Sequence, residues 1–331
     1  MQAVIMAGGK GTRLRAITND EIPKPMVPIA GKPILQWQIE TLRRSGVTDI
    51  LLITGYLGEK IEAFFGDGVA FGVHIGYYRE EQPLGTAGAL AEIADRLEED
   101  FLLVFGDTIF DISIPRMLAF HREKRAEATL FVHPNSHPFD SDIVLRDEDQ
   151  RVCGFLPKTE ERTDWYDNCV NAGFYMVNRR LCSRIPRGEK TDLEKQVLWP
   201  LARQGGTVYA YMSPEYIKDV GTPERIAAAA AELETGVVSA RNLEKKQKCV
   251  FLDRDGTVNR YRGLISSPEQ LELESCAAEA IRLLNRSVKA LAQQYGADYV
   301  SIPYTSIAND GHPTVCGHKY IARQILKAVR K

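Results

Sequence analysis

Four short apolar runs, separated by amphipathic stretches, constrain the fold of this chain more than any other feature. Residues 2–6, 50–54, 73–77 and 101–105 are rich in Val, Ile, Leu and Phe and too short for buried helices. Continuous apolar runs of that length predict strands buried on both faces. Between them, 34–45, 59–65 and 86–97 space their apolar residues three or four apart, as helices do. Such β-α-β-α alternation predicts an α/β fold with a mostly parallel sheet, whose ligands sit beyond the carboxyl ends of the strands. The first strand runs into Ala7-Gly8-Gly9-Lys10-Gly11-Thr12-Arg13-Leu14. Three glycines in four positions let the backbone approach a phosphate-rich ligand and turn its N–H groups toward the oxygens. Arg13 adds a planar guanidinium fork matched to phosphate.

Further along, the texture changes. From about 128 to 211 the segments 129–133, 143–145 and 170–178 look like strands, a β-rich insertion over the first fold. A helix over 223–234 closes it, and 235–248 is a polar, helix-poor connector. The 331 residues suit about two domains. We place a first domain at 1–235, a linker at 236–248, and two shorter segments at 249–287 and 288–331.

Residues 1–240 carry a net charge of −8 against +6 for the remainder, so the first domain lacks the basic surplus of an unselective nucleic-acid binder. Six cysteines form no C-x-x-C pair, which favours free thiols in a reducing cytoplasm over a disulfide framework or zinc site. No run suits a signal peptide or a membrane span. The sequence therefore predicts a cytoplasmic protein that binds neither nucleic acid nor membrane.

The loop spacing matches neither the Walker P-loop nor the dinucleotide fingerprint. Its GG-x-GTRL wording resembles the nucleotidyltransferases that make sugar nucleotides, and the resemblance continues in order along the chain. Ile22-Pro-Lys-Pro-Met26 is similar to the family's P-K-P-M motif, Pro83-Leu-Gly-Thr-Ala-Gly-Ala89 to its nucleoside loop, and Phe105-Gly-Asp-Thr108 to its G-D motif. Asn171-Ala-Gly173 resembles the N-A-G turn, Thr191-Asp-Leu-Glu194 the sugar-binding glutamate segment, and Lys218-Asp-Val-Gly-Thr222 the D-[IV]-G-T motif. Gly154-Phe-Leu-Pro-Lys158 resembles the F-x-E-K-P segment with its residue order altered.

This resemblance implies a Rossmann-like nucleotidyltransferase domain that joins a nucleoside monophosphate to a sugar 1-phosphate and releases pyrophosphate. By it, Ala7, Gly8, Gly9, Gly11, Thr12 and Arg13 would cradle the triphosphate, while Pro83, Gly85 and Thr86 would hold the nucleoside. Lys24 would contact the α-phosphate, and Asp107 and Asp219 would bind Mg²⁺. Gly106, Lys158, Asn171, Gly173 and Glu194 would meet the sugar phosphate. The catalytic set is Arg13, Lys24, Asp107 and Asp219. Small-molecule substrates are the implied partners, and a homo-oligomer is left open.

A carboxylate can accept both N1–H and the exocyclic amino group of guanine. Glu80, five residues before Gly85, stands where family guanylyltransferases place such a group, which predicts GTP as donor. The motif wording resembles heptose 1-phosphate and mannose 1-phosphate guanylyltransferases alike. The neighbouring segment favours heptose: Cys249-Val-Phe-Leu-Asp-Arg-Asp-Gly-Thr-Val-Asn259 resembles motif I of haloacid-dehalogenase phosphatases, with Asp253 as nucleophile and Asp255 as acid/base. Its continuation looks like the heptose-bisphosphate branch, whose product would be the transferase substrate. The later phosphatase motifs are missing, and 288–331 instead resembles the closing segment of SGNH-type esterases, with Asp310 and His312 only two apart. No phosphatase turnover is expected of this vestigial pair.

Overall fold

The computed structural model describes residues 1–245 except Lys10, 135–140, Glu161 and 163–165, together with 258–261, 270, 272–274 and 277. The strands, in chain order, are β1 (Gln2–Met6), β2 (Pro28–Ile29), β3 (Lys32–Pro33), β4 (Asp49–Thr54), β5 (His74–Arg79), β6 (Asp100–Phe105) and β7 (Thr108–Asp111). They continue as β8 (Ala128–His133), β9 (Ile143–Arg146), β10 (Val152–Leu156), β11 (Val170–Asn178), β12 (Val208–Met212) and β13 (Tyr216–Asp219). The helices are α1 (Arg15–Thr18), α2 (Ile34–Arg44), α3 (Gly58–Phe65), α4 (Gly88–Glu92), α5 (Ile114–Glu123), α6 (Trp199–Arg203), α7 (Pro223–Glu234) and α8 (Val237–Ala240).

The central sheet has the order β10-β9-β11-β6-β1-β4-β5, with β8 and β12 branching from β11. β6, β1, β4 and β5 run parallel, and β11 joins antiparallel to β6. The fold is thus α/β with a mostly parallel core, as the alternating runs predict. β1, β4 and β6 carry apolar runs because both faces are covered, whereas β5, at the sheet edge, begins and ends with the exposed His74 and Arg79. Ala3 and Ile5 point into one hydrophobic cluster with Leu35, Ile39 and Leu42 of α2, while Val4 points into the other with Leu90 and Leu103. A third cluster packs Leu14, Val27 and Ile34 against Tyr216, Val220 and Ala229, which anchors the far side of the glycine loop.

Two expectations need correction. The helix expected over 86–97 is broken: only Gly88–Glu92 is α-helical, followed by a tighter turn at Ala94–Arg96. Its first residues are drawn away by pairing with the 189–191 segment, since Gly85 bridges Thr191. The polar stretch after 235 does not begin as a free connector. It forms α8, and the Asn242 side chain donates to Asp111 (2.6 Å), while the Leu243 amide donates to Glu215 (2.8 Å). The first compact unit accordingly runs Met1–Lys245.

In the second unit, 246–331, the described residues include an antiparallel bridge between Asn259 and Leu273 and an ion pair of Arg260 with Glu272 at 2.7 Å. Asp253, Asp255 and the segment 288–331 lie outside the described residues.

Candidate active site

The carboxyl ends of β1, β4 and β6 converge on the glycine loop. The Ala7 amide donates to Ile53 of β4 (2.8 Å), and the Gly106 amide donates to Met6 of β1 (3.0 Å), so the loop and the G-D turn share one strand end. Gly11 has φ +60, and a Cβ there would lie 2.8 Å from Cβ of Lys24. Glycine is needed on both counts, because the left-handed backbone disfavours other residues and the Lys24 stem passes directly beneath. Thr12 opens a single 3-10 turn that ends at Leu14, and Arg13 within it is exposed. Gly9 has open space around it.

Lys24 is buried and its ammonium pairs with the carboxylate of Asp107. Asp219 ends β13, which pairs antiparallel with β7 so that Asp219 faces Thr108, and the amide of Val220 donates to the carbonyl of Asp107 (2.8 Å). The two aspartates expected to act together are therefore neighbours across one strand pair. Asp219 is itself paired with Arg225 in the first turn of α7, and Arg13 reaches the same turn: a Cβ on Gly221 would lie 3.3 Å from both Arg13 Nη2 and Asp219 Oδ1. The G-D turn and the end of β13 thus hold one carboxylate each, and each has a basic partner.

Hard oxygen donors of this kind suit Mg²⁺, which takes one or two carboxylates and fills its remaining positions with water and phosphate oxygens. Among the described residues no three acidic, His or Cys groups gather that could cage a metal alone. The expected Mg²⁺ would be held by this pair together with phosphate oxygens of a substrate.

One residue that sequence reasoning missed supports this turn. Gln38 of α2 is 1% exposed, and its amide nitrogen donates to the carbonyls of Phe105 (2.9 Å) and Thr108 (2.8 Å) and reaches the Thr108 hydroxyl (3.1 Å). It clasps both ends of the segment that carries Asp107. A signal was present in the sequence: Gln38 is the polar interruption on the apolar face formed by Leu35, Ile39 and Leu42. Arg225 was missed too, since nothing local announces its partner.

On the side expected to hold the nucleoside, Glu80 follows β5, and its carboxylate accepts the Leu84 amide (3.1 Å). Its other oxygen abuts the loop, for a Cβ on Gly8 would sit 2.8 Å from Glu80 Oε2. Burial pushes the Glu80 carboxyl above its ordinary pKa, and the Leu84 hydrogen bond opposes this. Pro83 is exposed. Gly85 has φ +81 and lies so close to the Thr191 carbonyl that a Cβ would approach it to 2.5 Å. The Thr86 hydroxyl accepts the Leu193 amide (2.8 Å), so this hydroxyl ties the loop to the side expected to meet the sugar.

On that side, Asn171 and Tyr175 of β11 both donate to Glu194 Oε1, at 2.8 and 2.7 Å. Burial raises the Glu194 carboxyl, opposed first by the Tyr175 hydroxyl, and Asp192 and Asp142 push it further up. Asn171 Oδ1 is buried with no hydrogen-bond partner among the described residues. Gly173 rests on the ring of Phe105. Lys158 stands just past β10, its amide bonded to Asp142 (2.8 Å) and its side chain exposed. The structure brings the loop, Lys24, Gly106, Asp107 and Asp219 to one strand end, and Asn171 and Glu194 into one hydrogen-bonded group.

A family model described as nucleotidyl transferase matches residues 2–236. The chain belongs to the nucleotidyl transferase family. It is 39% identical over 240 residues to a mannose-1-phosphate guanylyltransferase of Mycobacterium tuberculosis, covering 72% of this chain and 66% of that protein. It is also 32% identical over 235 residues to a D-glycero-alpha-D-manno-heptose 1-phosphate guanylyltransferase of Aneurinibacillus thermoaerophilus, covering 71% of this chain and 99% of that one. The chain thus spans just under two thirds of the mycobacterial relative, and the family model ends at residue 236. Among solved structures, HddC from Yersinia pseudotuberculosis matches with a TM-score of 0.61 and 26% identity, covering 70% of this chain and 99% of that one. That solved structure shares the α/β fold of this chain. Among the described residues no helix is long and apolar enough to cross a membrane.

Proposed function

We propose that this family member transfers GMP from GTP to a manno-configured sugar 1-phosphate, giving a GDP-sugar and pyrophosphate. D-glycero-D-manno-heptose 1-phosphate is the first reading of the acceptor, from the phosphatase-like segment that follows the transferase domain. Mannose 1-phosphate is the second, favoured by the 39% identity to the mycobacterial enzyme. The observation that carries the nucleotide assignment is the placement of Glu80. Its partly buried carboxylate stands against Gly8, next to the loop that would hold the phosphates, where a guanine edge would be read.

The reaction is an in-line displacement: an acceptor phosphate oxygen attacks the α-phosphorus of GTP, and pyrophosphate leaves. The acceptor supplies the nucleophile, so the chain contributes position and charge. Gly8, Gly9 and Gly11 present backbone N–H groups to the triphosphate, and Arg13 offers its fork to the departing pyrophosphate. Lys24 leaves its pairing with Asp107 for the α-phosphate, where it balances charge that builds up during transfer. Asn171 and Glu194, joined by their hydrogen bond, orient the sugar hydroxyls. Asp107 and Asp219 would hold Mg²⁺, which supplies charge neutralisation between the reacting phosphates.

The test is pyrophosphate release from each of GTP, dTTP, UTP and ATP with heptose, mannose and glucose 1-phosphates. GTP with one of the two manno-configured acceptors should give the highest kcat/KM, and Glu80→Gln should narrow the preference for GTP. Equal turnover of dTTP with glucose 1-phosphate would overturn the specificity while leaving the family intact.

A further inference from the structure

At the other end of the sheet lies a groove of about 590 Å³ that the transfer reaction does not use, lined by Arg125, Glu127, Arg180, Ser183, Arg184 and Thr207. Its position follows from register. Asn178, beside Arg180, pairs with Asp100 at the start of β6, whereas Gly106 and Asp107 follow the end of that strand. The six residues of β6 therefore separate the groove from the G-D turn by roughly 20 Å.

The groove is cationic within an acidic domain, and its charges are unevenly committed. Arg184 places Nε and Nη2 on Glu127 Oε1 at 2.9 and 2.8 Å, and the Thr207 hydroxyl reaches Glu127 Oε2 at 3.4 Å. The single lining carboxylate is thereby satisfied. Arg180 donates only its backbone amide and Nε to Asn178 Oδ1, at 3.1 and 2.9 Å, which fixes the stem and leaves both terminal nitrogens without a partner among the described residues. Arg125 makes no side-chain hydrogen bond or ion pair among the described residues. Nearby, burial lowers the pKa of His121, with Asp100 opposing the fall and Arg122 and Arg180 adding to it.

The backbone supplies an independent observation. Arg125 follows α5 with φ 48, in the left-handed region that favours glycine at a helix end. A long cationic side chain held in that conformation lines the groove without a side-chain partner among the described residues, which leaves its charge available to a ligand. Two unspent guanidinium forks in a space of this size suit a ligand of sugar-phosphate or mononucleotide dimensions.

We propose that this groove is a second binding site, taking a phosphorylated small molecule between Arg125 and Arg180. The test is isothermal titration of the full chain with inorganic phosphate, mannose 1-phosphate and GMP at fixed ionic strength. At least one probe should show two classes of site, and comparing the last two tells a sugar phosphate from a nucleotide. Arg125→Gly and Arg180→Gln should each weaken one class roughly tenfold or more, leaving the other class and turnover unchanged. Arg125→Gly separates function from fold, because glycine suits the backbone there and the variant should melt no lower than the parent. A single class with every probe, or a second class that survives both substitutions, would overturn the site. So would an RNA oligonucleotide bound through these arginines while no small probe occupies a second class.

Discussion

Gln38 offers the sharpest test of how the G-D turn is held. Gln38→Leu keeps the volume close to the original and removes the donor shared by the Phe105 and Thr108 carbonyls and the Thr108 hydroxyl. A buried acceptor stripped of its donor costs about 1–3 kcal/mol. Two terms reduce that figure. The Phe105 carbonyl keeps the Thr108 hydroxyl at 2.9 Å, and leucine removes the buried Gln38 Oε1, which has no partner among the described residues. A net loss of about 1–2 kcal/mol follows, which in a unit of this size lowers Tm by roughly 2–8 °C. The functional effect should be larger than the loss of stability suggests. Asp107 lies inside the clasped segment, and misplacing a positioned group by an ångström costs on the order of 100-fold. A fall in kcat of roughly 10–100-fold is expected, with little change in the KM for nucleotide and a higher Mg²⁺ requirement. Thermal melting alongside pyrophosphate release at varied Mg²⁺ reads all three. A variant that melts lower yet keeps parental kcat at saturating substrates would refute the positioning argument, reducing Gln38 to a packing residue.

Asp107→Asn should abolish Mg²⁺-dependent turnover while circular dichroism stays unchanged, and full activity would remove Asp107 from the metal assignment. Gly11→Ala should cost about 1–2 kcal/mol of backbone strain and push Lys24 off its line, so a fully active variant would contradict the close approach. Glu194→Gln keeps an oxygen for Asn171 and Tyr175 while removing a charge whose burial raises its pKa. A raised carboxyl pKa means the folded state holds its proton more tightly. That contribution is complete below the unfolded value near 4.5 and is lost as pH rises through the folded value. The variant should therefore gain Tm relative to the parent at neutral pH, and the gain should vanish below pH 4.5. A gain independent of pH would show that the charge is not its source.

The parallel core was legible in the sequence because strands such as β1 and β6 are covered on both sides, which leaves an uninterrupted apolar run. The glycine loop and its partners were legible for a different reason. Positions such as Gly11 and Gly85 need particular backbone geometry, so their residue type is tightly tied to their place in the fold. What escaped depended on contacts distant along the chain. The helix expected from 86 to 97 has correct periodicity, yet its start is taken by Thr191 and its end tightens. Residues 236–245 read as polar linker because their partners, Asp111 and Glu215, lie more than 25 positions away. Gln38 was visible as an anomaly without a visible purpose until the turn it clasps was placed beside it.

The stitching of Gly85 and Thr86 to Thr191 and Leu193 bears on how such enzymes change specificity. The strip that would face the base and the strip that would face the sugar are joined by backbone pairing and a hydroxyl bond, so neither can be exchanged as a free cassette. Grafting a new nucleoside loop alone would import a mismatch at Thr191, and the strain would pass through Leu193 to Glu194. Donor and acceptor preference should therefore be inherited together, and laboratory efforts to alter one should find compensating changes collecting in the other.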